Sequence, residues 1–318
     1  MSAPAYVPGV QAPGGWRRAM GWAGRFGPVE LMLLLVAIIW GGSYSAAKTA
    51  TAELPVLQFL LLRFGLTFLL LLPALKGLAV PHWKSALAGA SMLGANLLAI
   101  FVCETFGVSL TTASNAAFLI SLCVAFTPLC EWWLLGQRPS LAVLGASALS
   151  LAGAGLLAFP HGWSLAPLAW GDALMVGAAF LRGVMVCLTR RQGQRHGLPA
   201  LTLTAVQMGV MTVGAAVLLG LQGQGWQPLP LSLSFWGAMA FLVLLCTVLA
   251  FFVQNHAASR SSPTRVALLM GSEPLWGALI AAAWMGERLT PQGWMGGLLI
   301  VVSAWWVTRP RKEAGQAD

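Results

Sequence analysis

Between Leu31 and Thr308 the chain is a succession of closely spaced apolar stretches of about twenty residues, the length that a helix needs to cross the hydrocarbon of a bilayer. Ten spans are expected, at 31–50, 55–75, 85–106, 112–135, 141–159, 169–189, 199–221, 235–256, 262–285 and 291–308. The stretches are too long and too uniformly apolar for the alternating strands of a barrel. A backbone in hydrocarbon must satisfy its own hydrogen bonds, so the fold class is all-α, integral to the membrane. Composition agrees: with 58% hydrophobic and 8% charged residues, a soluble chain would expose apolar surface that it could not hide. The connections are short and leave no room for a soluble catalytic domain.

The net charge of +9 would suggest a nucleic-acid partner in a soluble protein, so the placement of the basic residues decides its meaning. With the N-terminus inside, Arg17, Arg18, Arg25, Lys76, Lys84, Arg138, Arg190, Arg191, Arg195, Arg260, Arg265, Arg309, Arg311 and Lys312 fall on the cytoplasmic side. Lys48 and Arg288 fall opposite, and Arg63 and Arg182 lie inside spans. This asymmetry places a multi-pass protein in the cell (cytoplasmic, inner) membrane with both termini cytoplasmic and gives no reason to invoke nucleic acid. Residues 1–30, rich in Gly, Pro and Ala, lack the apolar core of a signal peptide and read as a disordered cytoplasmic tail; residues 309–318 form a second tail. Cys103, Cys123, Cys130, Cys187 and Cys246 all fall within spans, without a CxxC pair, as small apolar packing residues.

Laying Gly136-Gln137-Arg138-Pro139-Ser140 on Gly286-Glu287-Arg288-Leu289-Thr290 carries span four onto span nine and span five onto span ten. Ala117 then meets Ala267, Leu119 meets Leu269, Leu129 meets Leu279, and Glu104 falls over Gln254. The chain thus divides into halves, 31–159 and 169–308, of five helices each. An odd number of helices makes the second half enter from the opposite side, giving inverted repeats suited to alternating access around a site near the midplane.

The run Ser261-Ser262-Pro263-Thr264-Arg265-Val266-Ala267-Leu268-Leu269-Met270-Gly271-Ser272-Glu273-Pro274-Leu275-Trp276-Gly277, continuing to Gly286-Glu287-Arg288-Leu289-Thr290, resembles a signature of the EamA family in the drug/metabolite transporter superfamily. Trp40-Gly41-Gly42-Ser43 with Lys48, Arg63-Phe64, and Thr111-Thr112-Ala113-Ser114-Asn115-Ala116-Ala117 supply the first-half elements in the matching order. The resemblance implies a ten-helix carrier, usually with cytoplasmic termini, that moves small metabolites, amino acids or drugs, often outward. It also implies a central cavity lined by spans one, three, four, six, eight and nine. One departure is Arg182-Gly183, where the second half would usually repeat an aromatic-small pair like Trp40-Gly41.

The polar residues within spans point to the same place on physical grounds, because a charge at the bilayer centre costs about 2.5–3.5 kcal/mol even on the insertion scale. Glu273 lies halfway along span nine, and Pro274 after it is expected to kink the helix and expose carbonyls to a cavity. It reads as a substrate or proton site, or as a structural carboxylate at the kink. Arg182, mid-span six, must face a carboxylate, water or an anionic substrate group, with Glu273 or Glu104 as its balancing charge; a fixed pair that only orders helices is the other reading. Glu104 lies near the outer end of span three, within snorkelling reach of water. Asn96, Asn115 and Gln254 suit either a ligand or interhelical hydrogen bonds. Trp40 and Tyr44, one turn apart, form an aromatic wall or simple packing.

Arg63 and Lys48 are expected to bracket the first hairpin with Glu53 between them, while Asp172 and Glu131 read as solvated and carry no role. Small residues at Ala146, Ser150 and Ala154, and at Gly293 and Gly297, suit either an internal seam or a homodimer face. The isolated His82, His161, His196 and His256 build no catalytic constellation, no metal-ligand spacing occurs, and there is no GxxxxGK[ST] motif for a nucleotide-driven pump. An enzyme and a cofactor are therefore not expected. A secondary carrier of small molecules is the favoured reading, with a channel or a receptor or scaffold as the alternatives.

Overall fold

The computed structural model describes residues 27–111, 118–159, 170–196, 198–223, 225–285 and 290–308, and among these it contains helices and turns and no strand. The first half holds α1 (Pro28–Glu53), α2 (Val56–Leu71, running on as a 3-10 stretch Leu72–Leu78), α3 (Trp83–Leu110), α4 (Cys123–Leu135) and α5 (Leu141–Ala158). The second holds α6 (Trp170–His196), α7 (Ala200–Gln222), α8 (Leu233–Arg260), α9 (Pro263–Met270), α10 (Glu273–Met285) and α11 (Pro291–Thr308). Among the described residues, seven helical stretches are long and apolar enough to cross a membrane, from Val56–Leu78 through Leu233–Arg260. The expected N-terminal tail, 1–26 of it, and the C-terminal tail lie outside the described residues.

The helix ends follow local chemistry. Ser140 and Ser232 cap α5 and α8 by accepting from Val143 N and Phe235 N. Gly136 ends α4 at φ +71°, a left-handed conformation that a residue with a Cβ adopts at a cost. Within α8 the stretch Phe241–Leu249 is wound as a π-helix.

Span nine is not one kinked helix. It breaks at Gly271-Ser272, before Glu273, and Pro274 falls in the first turn of α10, where a missing N–H costs no intrahelical bond. The turn satisfies itself: Gly271 N donates to Ala267 O, and Leu269 O accepts from both Ser272 N and Ser272 Oγ. The kink expected after Glu273 is thus replaced by a break ahead of it.

Packing pairs α2 with α7, α5 with α11, α3 with α6, α4 with α6, and α1 with α8 and α10. Gly41 and Gly277 let α1 and α10 touch by their backbones, a Cβ on Gly41 lying 2.7 Å from Gly277 N. The small-residue stripes resolve into an internal seam: a Cβ on Gly153 would lie 2.5 Å from Gly296 O, and Ala146, Ser150 and Ala154 are buried. Core side chains such as Phe64, Phe235, Met208 and Met211 fill the space between α2, α7 and α8.

Candidate substrate site

Arg182 stands near the middle of α6 and reaches two carboxylates. Its Nη2 makes an ion pair with Glu104 Oε1 from α3, and its Nη1 lies 3.8 Å from Glu273 Oε2, at the start of α10. The second distance is too long for a hydrogen bond, so the contact of Arg182 with Glu273 is one of charge. The three side chains are 27%, 16% and 10% exposed, so the cluster is partly open rather than sealed. Glycine makes the position possible: a Cβ on Gly183, the next residue, would lie 3.2 Å from Thr127 N, which brings α6 against α4.

The remaining residues singled out in the sequence divide sharply. Trp40, half-buried, donates its indole N–H to Cys246 O in the π-helical stretch (2.9 Å) and stacks tilted on Phe251 at 5.4 Å. Its polar atom is therefore committed to α8. Asn96 donates to Leu181 O (3.2 Å), tying α3 to α6 one residue before Arg182. Gln254 is half-buried on α8. The side chain of Tyr44 and the whole of Asn115 lie outside the described residues, as does the side chain of Lys48.

Three expectations are corrected. Glu53 does not pair with Arg63: it accepts from Ser232 Oγ at 2.7 Å, at the cap of α8, and the side chain of Lys48 lies outside the described residues. Arg63 is buried instead against α8, its Nε 3.1 Å from Thr247 Oγ1, with its guanidinium over the rings of Phe64 and Phe101. Asp172 and Glu131 are not solvated but buried. Thr111 donates its hydroxyl to Asp172, and Glu131 accepts from Thr264 N (3.1 Å), from the Thr264 hydroxyl (2.5 Å) and from Ser262 Oγ (3.3 Å). Asp172 thus fastens the C-terminal end of α3, and Glu131 the N-terminus of α9. At the α8–α9 connection Arg190 Nη1 adds a bond to Ser261 O (2.7 Å), and Arg265 pairs with Glu30 of α1 (3.0 Å).

A buried amide cluster was not foreseen: Asn255 Nδ2 donates to Thr204 Oγ1 (3.0 Å) and Gln207 Oε1 (2.8 Å), joining α8 to α7. Its only sequence signal is polar residues recurring within an apolar helix. All five cysteines are free thiols. Among the described residues no group of His, Cys, Asp and Glu has the arrangement of a metal site.

Comparison with known proteins agrees with this architecture. A crystal structure 18% identical in sequence superposes with a TM-score of 0.73 over 88% of this chain and 96% of its own, a shared fold. An uncharacterized transporter of Archaeoglobus fulgidus is 25% identical over 89% of this chain and 98% of its own length. The threonine/homoserine exporter RhtA of Escherichia coli (strain K12) is 24% identical over 95% and 97%. A protein named a probable terminal-alkyne amino-acid exporter, from Streptantibioticus cattleyicolor, is 23% identical over 87% and 92%. Residues 27–159 and 169–309 each match the EamA-like transporter family, so the chain belongs to that family of the drug/metabolite transporter superfamily and is a multi-pass membrane transporter.

Proposed function

We propose that the protein is a secondary carrier that moves a small amino-acid-like metabolite outward across the cell membrane by alternating access, with Glu104, Arg182 and Glu273 at the centre of its substrate site. The observation that carries this reading is one guanidinium shared by two carboxylates from separate helices, partly open, where each charge is costly to keep. A pair that served only to order helices would need one acid. Two acids on one arginine leave a negative group for the ammonium of a substrate or for a proton, and the looser contact, to Glu273, is the one a substrate amine would replace. The printed names of RhtA and of the alkyne amino-acid exporter favour a substrate of this class. Trp40, Tyr44, Asn96, Asn115 and Gln254 complete the proposed lining, Asn96 by positioning α6 rather than by touching substrate.

Alternating access requires two states of similar energy, and an inverted repeat of five and five helices supplies them. Support for that repeat comes from register. Helices α3 and α8 begin at 83 and 233 and end at 110 and 260; α4 and α10 span 123–135 and 273–285; α5 and α11 span 141–158 and 291–308. The first helices of the two halves pair at a shorter offset of 142, and there Gly41 against Gly277 has its counterpart in Gly183 against Thr127. Arg182 takes the place of Trp40 at the offset of 142 that relates α1 to α6, while Glu104 takes that of Gln254 and Glu273 that of Cys123 at the offset of 150, so the ionic cluster belongs to one half-site only. Ten spans with both termini cytoplasmic and a lone subunit or a homodimer are equally part of this proposal.

The test is untargeted metabolite profiling of medium and cytoplasm in cells expressing wild type, Glu273→Gln or Arg182→Ala at matched membrane levels. Wild type is expected to shift one metabolite class outward while both variants lose the shift. Redistribution by all three would keep the carrier and remove these residues from its site.

A further inference from the structure

Arg63 lies well inside α2, and the ionic cluster around Arg182 does not include it. It is 7% exposed on α2, and its Nε is anchored to Thr247 Oγ1, which itself is fixed by donating to Leu242 O at 2.7 Å. The guanidinium lies over the rings of Phe64 and Phe101, 5.5 and 5.8 Å from their centroids, and the two rings meet edge to face at 5.1 Å. The group is thus held at Nε by the threonine and placed by its cation–π contacts with the two rings. The other edge, formed by Nη1 and Nη2, meets no acceptor and no carboxylate within ion-pair distance among the described residues, and neither nitrogen is sealed from solvent. Glu104, which acts on Arg63 through space, is already paired with Arg182.

Such an arrangement is expensive unless something answers it. A buried guanidinium keeps its charge, and the two parallel N–H groups of its fork match the two oxygens of a carboxylate. We propose that Arg63 is an anion-binding residue of the interior cavity and that the group it receives is a carboxylate. A single fork neutralises one negative charge, so a monoanionic carboxylate is answered in full, whereas a phosphate dianion would keep a charge uncompensated in apolar surroundings. The proposal rests on the carrier reading for how a carboxylate arrives, and it adds a second contact point between α2, α3 and α8, apart from the Arg182 cluster. A substrate spanning both points would present its carboxylate to Arg63 and its cationic group to Glu273.

Binding is tested on the full-length protein purified in detergent, with sodium propionate, propionamide, inorganic phosphate and sodium chloride at equal ionic strength. Propionate should raise the Tm of wild type beyond chloride, propionamide should not, Arg63→Gln should lose the response, and Arg63→Lys should need about tenfold more propionate, since it keeps the charge but not the fork. Phenylglyoxal labelling read by peptide mass spectrometry needs no variant: Arg63 should be labelled in wild type and protected by propionate but not by propionamide. An absent response to propionate, an equal response in Arg63→Gln, protection by phosphate or chloride matching that by propionate, or labelling of Arg63 that propionate leaves unchanged would each overturn the proposal. The carrier reading stands or falls separately. Propionate binding through Arg63 without metabolite redistribution would remove the carrier and keep the site, and redistribution that survives Arg63→Gln would do the reverse.

Discussion

At the scale of single residues, a charge inside an apolar helix announces that it needs a partner but not which one. Glu104, Arg182 and Glu273 were all legible as costly charges, and the sequence already paired Arg182 with the two acids as alternatives; the structure brings it to both. Glu131 shows the limit. Its position near a span end reads as solvated, yet rotation of α4 turns it inward onto the N-terminus of α9, where it accepts from Thr264 N and its hydroxyl. Helix rotation is set by neighbours far away in sequence, so no local pattern reports it. Removing this acceptor leaves a buried amide and hydroxyl unsatisfied, at a cost of about 1–3 kcal/mol. Glu131→Ala should therefore lower the Tm of the purified protein clearly, and Glu131→Gln, which keeps one carbonyl oxygen, should lower it less. Equal Tm values for wild type and Glu131→Ala would show that water replaces the carboxylate.

Helices were legible where length and apolarity suffice, because hydrocarbon allows few other structures. Their interruptions were not. The break in span nine lies at Gly271-Ser272 rather than after Glu273, since Pro274 in a first turn obeys the helix instead of breaking it. The π-helical stretch Phe241–Leu249 is a run of good apolar residues without a breaker, and only the Trp40 and Thr247 hydrogen bonds mark it as special. Two substitutions separate these roles. Pro274→Ala should change stability by no more than about 0.5 kcal/mol, because the turn ahead of it is held by Ser272 and the carbonyls of Ala267 and Leu269. Gly41→Leu, by contrast, forces a side chain into the backbone of Gly277 and the Cβ of Trp276, and overpacking of this kind costs about 1–3 kcal/mol. Thermal unfolding of both variants beside wild type would reverse this assignment if the order were opposite.

At the scale of the molecule, the number of crossings decides the topology through its parity. Seven described stretches are long and apolar enough to cross on their own, and an odd number of crossings would put the two termini on opposite sides of the membrane. Ten crossings put them on the same side. Three further candidates remain: α1, with a shorter apolar stretch over Pro28–Ser43 among the described residues, span nine, which is divided into α9 and α10, and α11, which opens on Pro291-Gln292-Gly293. Packing favours counting them. Helix α1 lies against α8 and α10, α11 lies along the whole small-residue face of α5, and α9 is wedged between α4 and α6, so none of them is peripheral. The basic residues favour the same topology, since only the even count collects nearly all of them on one face. Reporter fusions read the parity directly. A fluorescent protein that matures only in the cytoplasm should glow when fused to either terminus, and alkaline phosphatase, active only outside, should be active when fused within residues 160–169, between the halves. A dark C-terminal fusion with an active phosphatase at that end would make the count odd, and the inverted repeat proposed as the basis of alternating access would be lost with it.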